Sequence, residues 1–475
     1  MFDVIVIGGG VVGGLLLREL TKYRLNVCMV EKENDVAMGQ SKANSGIVHA
    51  GYDAKNGTNK AKFNLLGNKM MSEVCKELGV KYKNNGSLVV AFSEEEKTAL
   101  LELKERGEKN GVQGLEILTA DKLFSLEPNI SKEAVAALYA PTGGIVCPYS
   151  LTVAAVGNAM DNGASLYLNF EVVHIEKADE GVQVKAKDGR ILTAKTVFNC
   201  AALQSGEIAK TCGDDIQMGG RKGEYLLLDK ESGGFLSHTL FFAPTKMGKG
   251  ILLTPTVDGN LLVGPTAEEI EDGNRETSRA GIENITQKAK KMCPAVPLYN
   301  TITSFAGVRA YSSKHDFILT ESERIQGVFH LAGIESPGLT AAPAIAKYAV
   351  EELLSKRLAL VKNQAFNPYR APDYFFATLS DEEKNELIKK DPTYGKIVCR
   401  CEQITEGEIR RAVRENPKAT DIDGIKRRTR TGMGRCQGGF CQPQVAEIIA
   451  DELGIELEKV TKKGKGSYLL KGVTK

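Results

Sequence analysis

Phe2-Asp-Val-Ile-Val-Ile-Gly8-Gly-Gly10-Val-Val-Gly13-Gly-Leu-Leu-Leu, followed by Asn26-Val-Cys-Met-Val30-Glu31, decides the fold. Phe2–Ile7 is a β-branched apolar run, which predicts a strand. The glycines predict a tight turn, and Val11, Leu15, Leu16 and Leu20 recur at helical spacing. The second apolar run predicts another strand, parallel to the first. Gly8, Gly10 and Gly13 form G-x-G-x-x-G between that strand and that helix. Each glycine has a job: the first makes the turn, the second lets backbone N–H groups approach a pyrophosphate, and the third lets helix and strand pack closely. The helix N-terminus adds partial positive charge. Glu31 can accept hydrogen bonds from both hydroxyls of an adenosine ribose and would repel a 2′-phosphate. The stretch therefore predicts a site for one dinucleotide, FAD or NAD. No second fingerprint of this kind is present.

Outward from this unit, short strands such as Ser87 to Phe92, Gly181 to Ala186 and Asn260 to Val263 mix with helical stretches such as Lys97 to Lys104. That mixture predicts an α/β body with an antiparallel second layer. The 475 residues exceed what one core usually holds, so at least two folding units are expected. With 42% apolar and 26% charged residues the chain reads as an ordinary globular protein, neither disordered nor a coiled coil. No run of eighteen apolar residues is present. The apolar start lacks a basic lead-in and is broken by glycines, so a cytoplasmic location is expected, with peripheral membrane docking left open.

The near-neutral balance of 62 Lys and Arg against 60 Asp and Glu conceals an asymmetry. From Gly395 onward 17 basic residues face 11 acidic ones, a surplus of six positive charges, whereas residues 1–394 carry four net negative charges. Six of the ten cysteines are scattered singly, while Cys399-x-Cys401 and Cys436-x4-Cys441 form two close pairs. In a large cytosolic chain such pairs point to a metal or redox centre rather than to disulfides. Four thiolates can hold zinc or an iron–sulfur cluster. Thr405 and Glu408 predict a capping box opening a helix that ends before Pro417, and Ser380 and Glu383 predict another for a helix running to about Lys390. Phe366 to Phe376 reads as a connector lying on the body. Lys426-Arg-Arg-Thr-Arg430 reads either as a nucleic-acid patch or, preferably, as charge that offsets the cluster or docks an acidic partner.

Of the five histidines, His174 and His330 sit in apolar strands and read as core residues, while His238 and His315 lie among loop-like residues and read as exposed. His49 stands in the stretch Ser41-Lys-Ala-Asn-Ser-Gly-Ile-Val-His49-Ala-Gly-Tyr52. This stretch, Ala140-Pro-Thr-Gly-Gly-Ile-Val-Cys147-Pro148 and Gly333-Ile-Glu-Ser-Pro-Gly338-Leu-Thr340-Ala resemble signature segments of the FAD-dependent glycerol-3-phosphate dehydrogenase and L-2-hydroxyglutarate oxidase branch of the D-amino acid oxidase superfamily. The likeness spans residues 1 to about 355. It implies FAD as cofactor, held by Gly8, Gly10, Gly13, Glu31, Ser41, Asn44, Ser45, Gly338, Leu339 and Thr340. It implies FAD-binding parts at about 1–80, 145–220 and 305–355, and a substrate domain at about 81–144 and 221–304. His49 is then the base or the group that orients substrate, and Arg309 the cationic anchor. Lys246 and Lys249 resemble a basic loop over the pocket, or a solvated hairpin tip. Tyr225 borders the pocket by packing, with a possible hydrogen bond.

The spacing of the paired cysteines resembles the bacterioferritin-associated ferredoxin domain, which implies that Cys399, Cys401, Cys436 and Cys441 carry a 2Fe-2S cluster within a small helical module, residues 395–475, joined through a connector at 356–394. Gly432, Gly434, Gly438 and Gly439 would let backbone N–H groups reach sulfur. Together these readings predict oxidation of a small anionic 2-hydroxy substrate, sn-glycerol 3-phosphate first and L-2-hydroxyglutarate second. Electrons would be exported through the cluster to a flavoprotein partner or membrane acceptor, in a possible hetero-oligomer. Two other readings are a non-catalytic electron-transfer subunit and a flavoprotein acting on RNA. No nucleic-acid partner is expected.

Overall fold

The computed structural model describes residues 1–244, 250–270 and 273–472. The strand Phe2–Ile7 forms with its last four side chains fully buried, and it lies parallel to Val27–Val30 on one side and to Ile191–Asn199 on the other. These belong to an eight-stranded sheet that continues through Ser165–Tyr167 at one edge and Val182–Ala186 and Val172–Lys177 at the other, with Val328–Ala332 parallel to the end of Ile191–Asn199. Helix Val11–Thr21 packs between helices Pro148–Asp161 and Gly338–Tyr348, so a core of Leu16, Leu17, Leu20, Val153 and Ile345 sits on one face of the sheet. Burying each such side chain contributes roughly 1.5–3 kcal/mol relative to leaving it in water.

A nine-stranded sheet forms the second layer. It is largely antiparallel, as expected, but Thr239–Phe242 runs parallel to Ser87–Ala91. Its longest pairing joins Met218–Leu228 to Thr301–Ser312 over almost their whole length. Residues 305–312 and 218–220, expected with the cofactor-binding half, therefore lie in the second sheet. Gly307 explains why this strand can press on the cofactor loop: a Cβ there would stand 1.9 Å from the Ala43 carbonyl oxygen.

The C-terminal module is a separate small core of Val398, Ile409, Val413, Ile425, Val445 and Ile449. Its helices are Glu406–Arg414, Ile422–Thr429 and Gln442–Leu453. The first opens on the expected capping box of Thr405 and Glu408, and helix Asp381–Lys390 opens on that of Ser380 and Glu383. The connector is tied to the module rather than draped over the body alone: the N–H groups of Phe375 and Phe376 donate to the buried Glu408 carboxylate.

Two histidine expectations are corrected. His174 lies on the edge strand Val172–Lys177 with its side chain 44% exposed beside Glu176, because an edge strand of this sheet has a wet face. His238 is half-buried, its Nδ1 2.7 Å from the buried Glu127 carboxylate. His330 is a satisfied core histidine between Asn199 and Asp214, and His315 is exposed.

Candidate functional site

The glycine turn forms a cradle with no room for side chains. Gly8 has φ +106°, and a Cβ there would stand 2.6 Å from the Cys200 carbonyl oxygen. A Cβ on Gly13 would stand 2.1 Å from the Gly8 carbonyl oxygen, so only glycine lets the helix approach this closely. Glu31 ends the second strand and accepts from the Gly9 N–H at 2.6 Å and the Glu33 N–H at 2.9 Å. Burial raises its carboxyl above the usual carboxylate value. Ser41 Oγ accepts from the Val11 N–H at 2.8 Å, at the start of the helix. Backbone donors at a bare helix N-terminus, with an acid at the ribose end, are the donor set a dinucleotide needs, so these residues fit FAD.

Beyond Ser41, the Asn44 carboxamide pins the loop: its oxygen accepts from the Gly46 N–H and its nitrogen donates to the Gln40 and Ser41 carbonyls. His49 follows the short strand Ile47–Val48. Its backbone N–H donates to Thr340 Oγ1 at 2.9 Å, and its carbonyl accepts from Asn64 and Asn68. The imidazole Nε2 lies 3.2 Å from Ser336 Oγ, and the ring stands 5.9 Å from that of Phe241. Gly338, Leu339 and Thr340 are the first residues of helix Gly338–Tyr348, so its N-terminus opens beside His49. Gly67 makes that possible, since a Cβ there would come within 2.0 Å of the Thr340 carbonyl.

Arg309 comes from the second sheet. It sits opposite Arg221 in the register, and its Nη2 donates to the Thr266 carbonyl at 3.0 Å. Gly223 leaves space for the guanidinium, 2.5 Å from where a Cβ would stand. Tyr225 is buried, stacks on Phe305 with ring centroids 4.9 Å apart, and hydrogen-bonds Ser45 and Arg309 through its hydroxyl. Burial raises that phenol despite the two partners. The sequence reading missed Ser336. It stood inside the quoted segment 333–341, but nothing local showed that its hydroxyl reaches His49. Lys246 and Lys249 lie outside the described residues.

The four module cysteines converge as two pairs. Cys401 and Cys436 have Sγ atoms 3.8 Å apart, and Cys399 is hydrogen-bonded to Cys441. That bond, with backbone donors at Gly432 and Glu402, holds the Cys399 thiol down to about 6, while Cys441 is pushed up by the same bond and by burial. Among the described residues no three His, Cys, Asp or Glu side chains converge on one point. Two pairs of thiolates suit a two-iron cluster, with two sulfurs for each iron, better than a single tetrahedral zinc. Gly434 leaves room here, because a Cβ would overlap the Cys401 side chain at 2.3 Å.

The basic run is not a surface patch. Arg427, Arg428 and Arg430 are each 5% exposed or less. Arg428 forks onto Asp35, just past Glu31 in the cofactor-binding layer, at 2.8 and 2.9 Å, and Arg427 joins it. Burial alone would raise Asp35; Arg428 and Arg427 outweigh it and hold the carboxyl at about 2. Arg430 bonds Glu402, next to Cys401, at 2.8 Å, Asp258 of the second sheet at 2.8 Å, Asn260 at 3.0 Å and Tyr149 at 3.2 Å. The acidic partner expected for this run is the body of the same chain.

Residues 3–352 match the family described as FAD dependent oxidoreductase, and residues 397–451 match the BFD-like [2Fe-2S] binding domain. The chain is 48% identical to a glycerol 3-phosphate dehydrogenase of Caloramator mitchellensis, over 100% of this chain and 99% of that one. It is 35% identical to a glycerol 3-phosphate oxidase of Mycoplasma genitalium, over 77% of this chain and 97% of that one. The FAD-bound, dithionite-reduced L-α-glycerophosphate oxidase of Mycoplasma pneumoniae superposes with a TM-score of 0.74 at 31% identity, covering 78% of this chain and 98% of that one.

Proposed function

The chain belongs to the family of FAD-dependent oxidoreductases and carries a 2Fe-2S-binding domain, and from that premise we propose that it oxidises sn-glycerol 3-phosphate to dihydroxyacetone phosphate. The observation that carries this reading is the end-to-end likeness to a glycerol 3-phosphate dehydrogenase, cysteine module included.

FAD, when bound, supplies a two-electron acceptor. The residues of the chain do the rest. Arg309, whose planar fork matches a phosphate, anchors the anionic end of the substrate while Tyr225 fixes the guanidinium from below. His49 Nε2 takes the proton of the secondary hydroxyl, and Ser336 Oγ holds the ring in place for it. The N-terminus of helix Gly338–Tyr348 lies beside His49 and adds partial positive charge there.

Held by Cys399, Cys401, Cys436 and Cys441, a 2Fe-2S cluster would supply a one-electron carrier for export from the body. Cys401 is exposed, and Phe440, one residue before Cys441, is 90% exposed, which supports an outward face for an electron-accepting flavoprotein or membrane component. No described helix is long and apolar enough to cross a membrane, so membrane delivery would be peripheral.

Anaerobic titration tests the substrate assignment. Glycerol 3-phosphate should bleach the flavin at stoichiometric amounts. Bleaching by L-2-hydroxyglutarate and not by glycerol 3-phosphate would assign the other substrate.

A further inference from the structure

Between the body and the docked module lies a cavity of about 300 Å³. Its apolar walls come from Val146, Pro148, Leu227, Leu262 and Phe305 of the body and Met433 of the module. Its polar end is cationic: Lys42 from the cofactor loop, with Lys426 and Arg427 from helix Ile422–Thr429. Two carboxylates also line it, each with a cation partner of its own, and Asp423 also acts on Lys42 and Lys426. Asp258 is held by Arg430, Tyr374 and Lys81, and Asp423 pairs with Lys462 at 3.1 Å.

We propose that this cavity is a second small-molecule site, for a ligand with a compact apolar body and one phosphate or carboxylate group.

Three observations support it. Among the described residues neither Lys42 nor Lys426 has an ion-pair partner, although both are largely withdrawn from water. Burial pushes Lys42 down to about 8, with Arg427 and Arg275 adding to the effect, and it lowers Lys426 too. Arg427 is 5% exposed, lines the cavity, and its Nε has no hydrogen-bond partner although its Nη2 is held by Asp35. Arg427 already has Asp35 as counter-charge and Asp423 offsets the two lysines only in part, so an anion in the cavity would add counter-charge chiefly for Lys42 and Lys426. The volume lies at the small end of the range for ligand pockets, and the mix of apolar walls with a few convergent charges is that of a specific site. None of Gly8, Gly10 and Gly13 lines it, although Asn44 and Ser45 of the cofactor loop do, so it borders the FAD site.

Lys42 is also the neighbour of Ser41, so the FAD diphosphate is the rival source of the anion. The test is calorimetric titration with phenyl phosphate of FAD- and cluster-loaded enzyme carrying Arg309→Ala, which suppresses anion binding in the substrate pocket. One equivalent should bind. Adding Lys42→Gln and Lys426→Gln should weaken binding by roughly tenfold or more with FAD content unchanged, and Lys42→Arg with Lys426→Arg should restore it. Affinity that does not respond to the glutamine pair overturns the proposal, as does binding already abolished by Arg309→Ala. FAD lost from the glutamine pair, with phenyl phosphate binding intact, assigns the cations to the flavin diphosphate and overturns it as well. Because the readout is binding and not turnover, failure of the glycerol 3-phosphate assignment would appear separately, as flavin that the substrate does not bleach.

Discussion

The dinucleotide cradle and the module seam hold their partners by opposite means. The cradle is made of backbone: glycines that leave no Cβ, N–H groups at a helix start and one acid. The seam is made of long side chains, with Arg427 and Arg428 on Asp35, and Arg430 on Asp258. A backbone cradle is rigid and intolerant of any added atom. A seam of charged forks is specific in geometry but depends on every carboxylate remaining ionised, because a buried pair that loses one member leaves the other charge uncompensated.

The largest effect should come from the cradle. Gly13→Ala places a methyl 2.1 Å from the Gly8 carbonyl, so strand and helix must separate. The expected outcome is protein purified nearly free of flavin, read from its visible spectrum, while the cluster absorbance persists. Retained flavin would show that the cradle can breathe.

His49→Ala acts on chemistry alone. Its loss should lower kcat by about 10²–10⁴-fold, the usual contribution of a positioned general base, with FAD content unchanged. A milder Ser336→Ala defect, seen chiefly as a lower kcat, would confirm that the serine works through the imidazole.

The seam gives the smaller response. Asp35→Asn should cost about 3–5 kcal/mol of module docking, because two buried guanidinium groups lose their counter-charge. Faster proteolysis in the connector, with substrate-driven flavin bleaching intact, is the expected signature. Acid should act in the same direction. Asp35 has a folded pKa of about 2, below its unfolded value, so its contribution is fully present above roughly pH 4 and is lost as pH falls toward 2. Docking should therefore be flat from neutral pH to about 5 on account of this group.

The same contrast explains what was legible in the sequence. The cradle's turn, helix and acid lie within 31 residues, so spacing alone exposed them, and the two capping boxes were equally local. The paired cysteines were legible because each pair is short, although only the fold shows that the contacts are made across the pairs, Cys401 to Cys436 and Cys399 to Cys441. The seam was not legible. Asp35 and Arg428 are 393 residues apart in the chain, and a basic run carries no mark of whether it faces water or a buried acid. His174 misled because strand periodicity does not say which strand lies at an edge, and His238 because its partner Glu127 is 111 residues away.

The central claim is that the two units work as one path, flavin to cluster. Rapid mixing of the fully loaded enzyme with glycerol 3-phosphate under anaerobic conditions, followed by paramagnetic resonance of the frozen samples, tests it directly. The account predicts that the flavin bleaches first and the signal of a reduced two-iron cluster then grows, with Cys436→Ser abolishing the second phase and sparing the first. A flavin that bleaches while the cluster stays oxidised would contradict it.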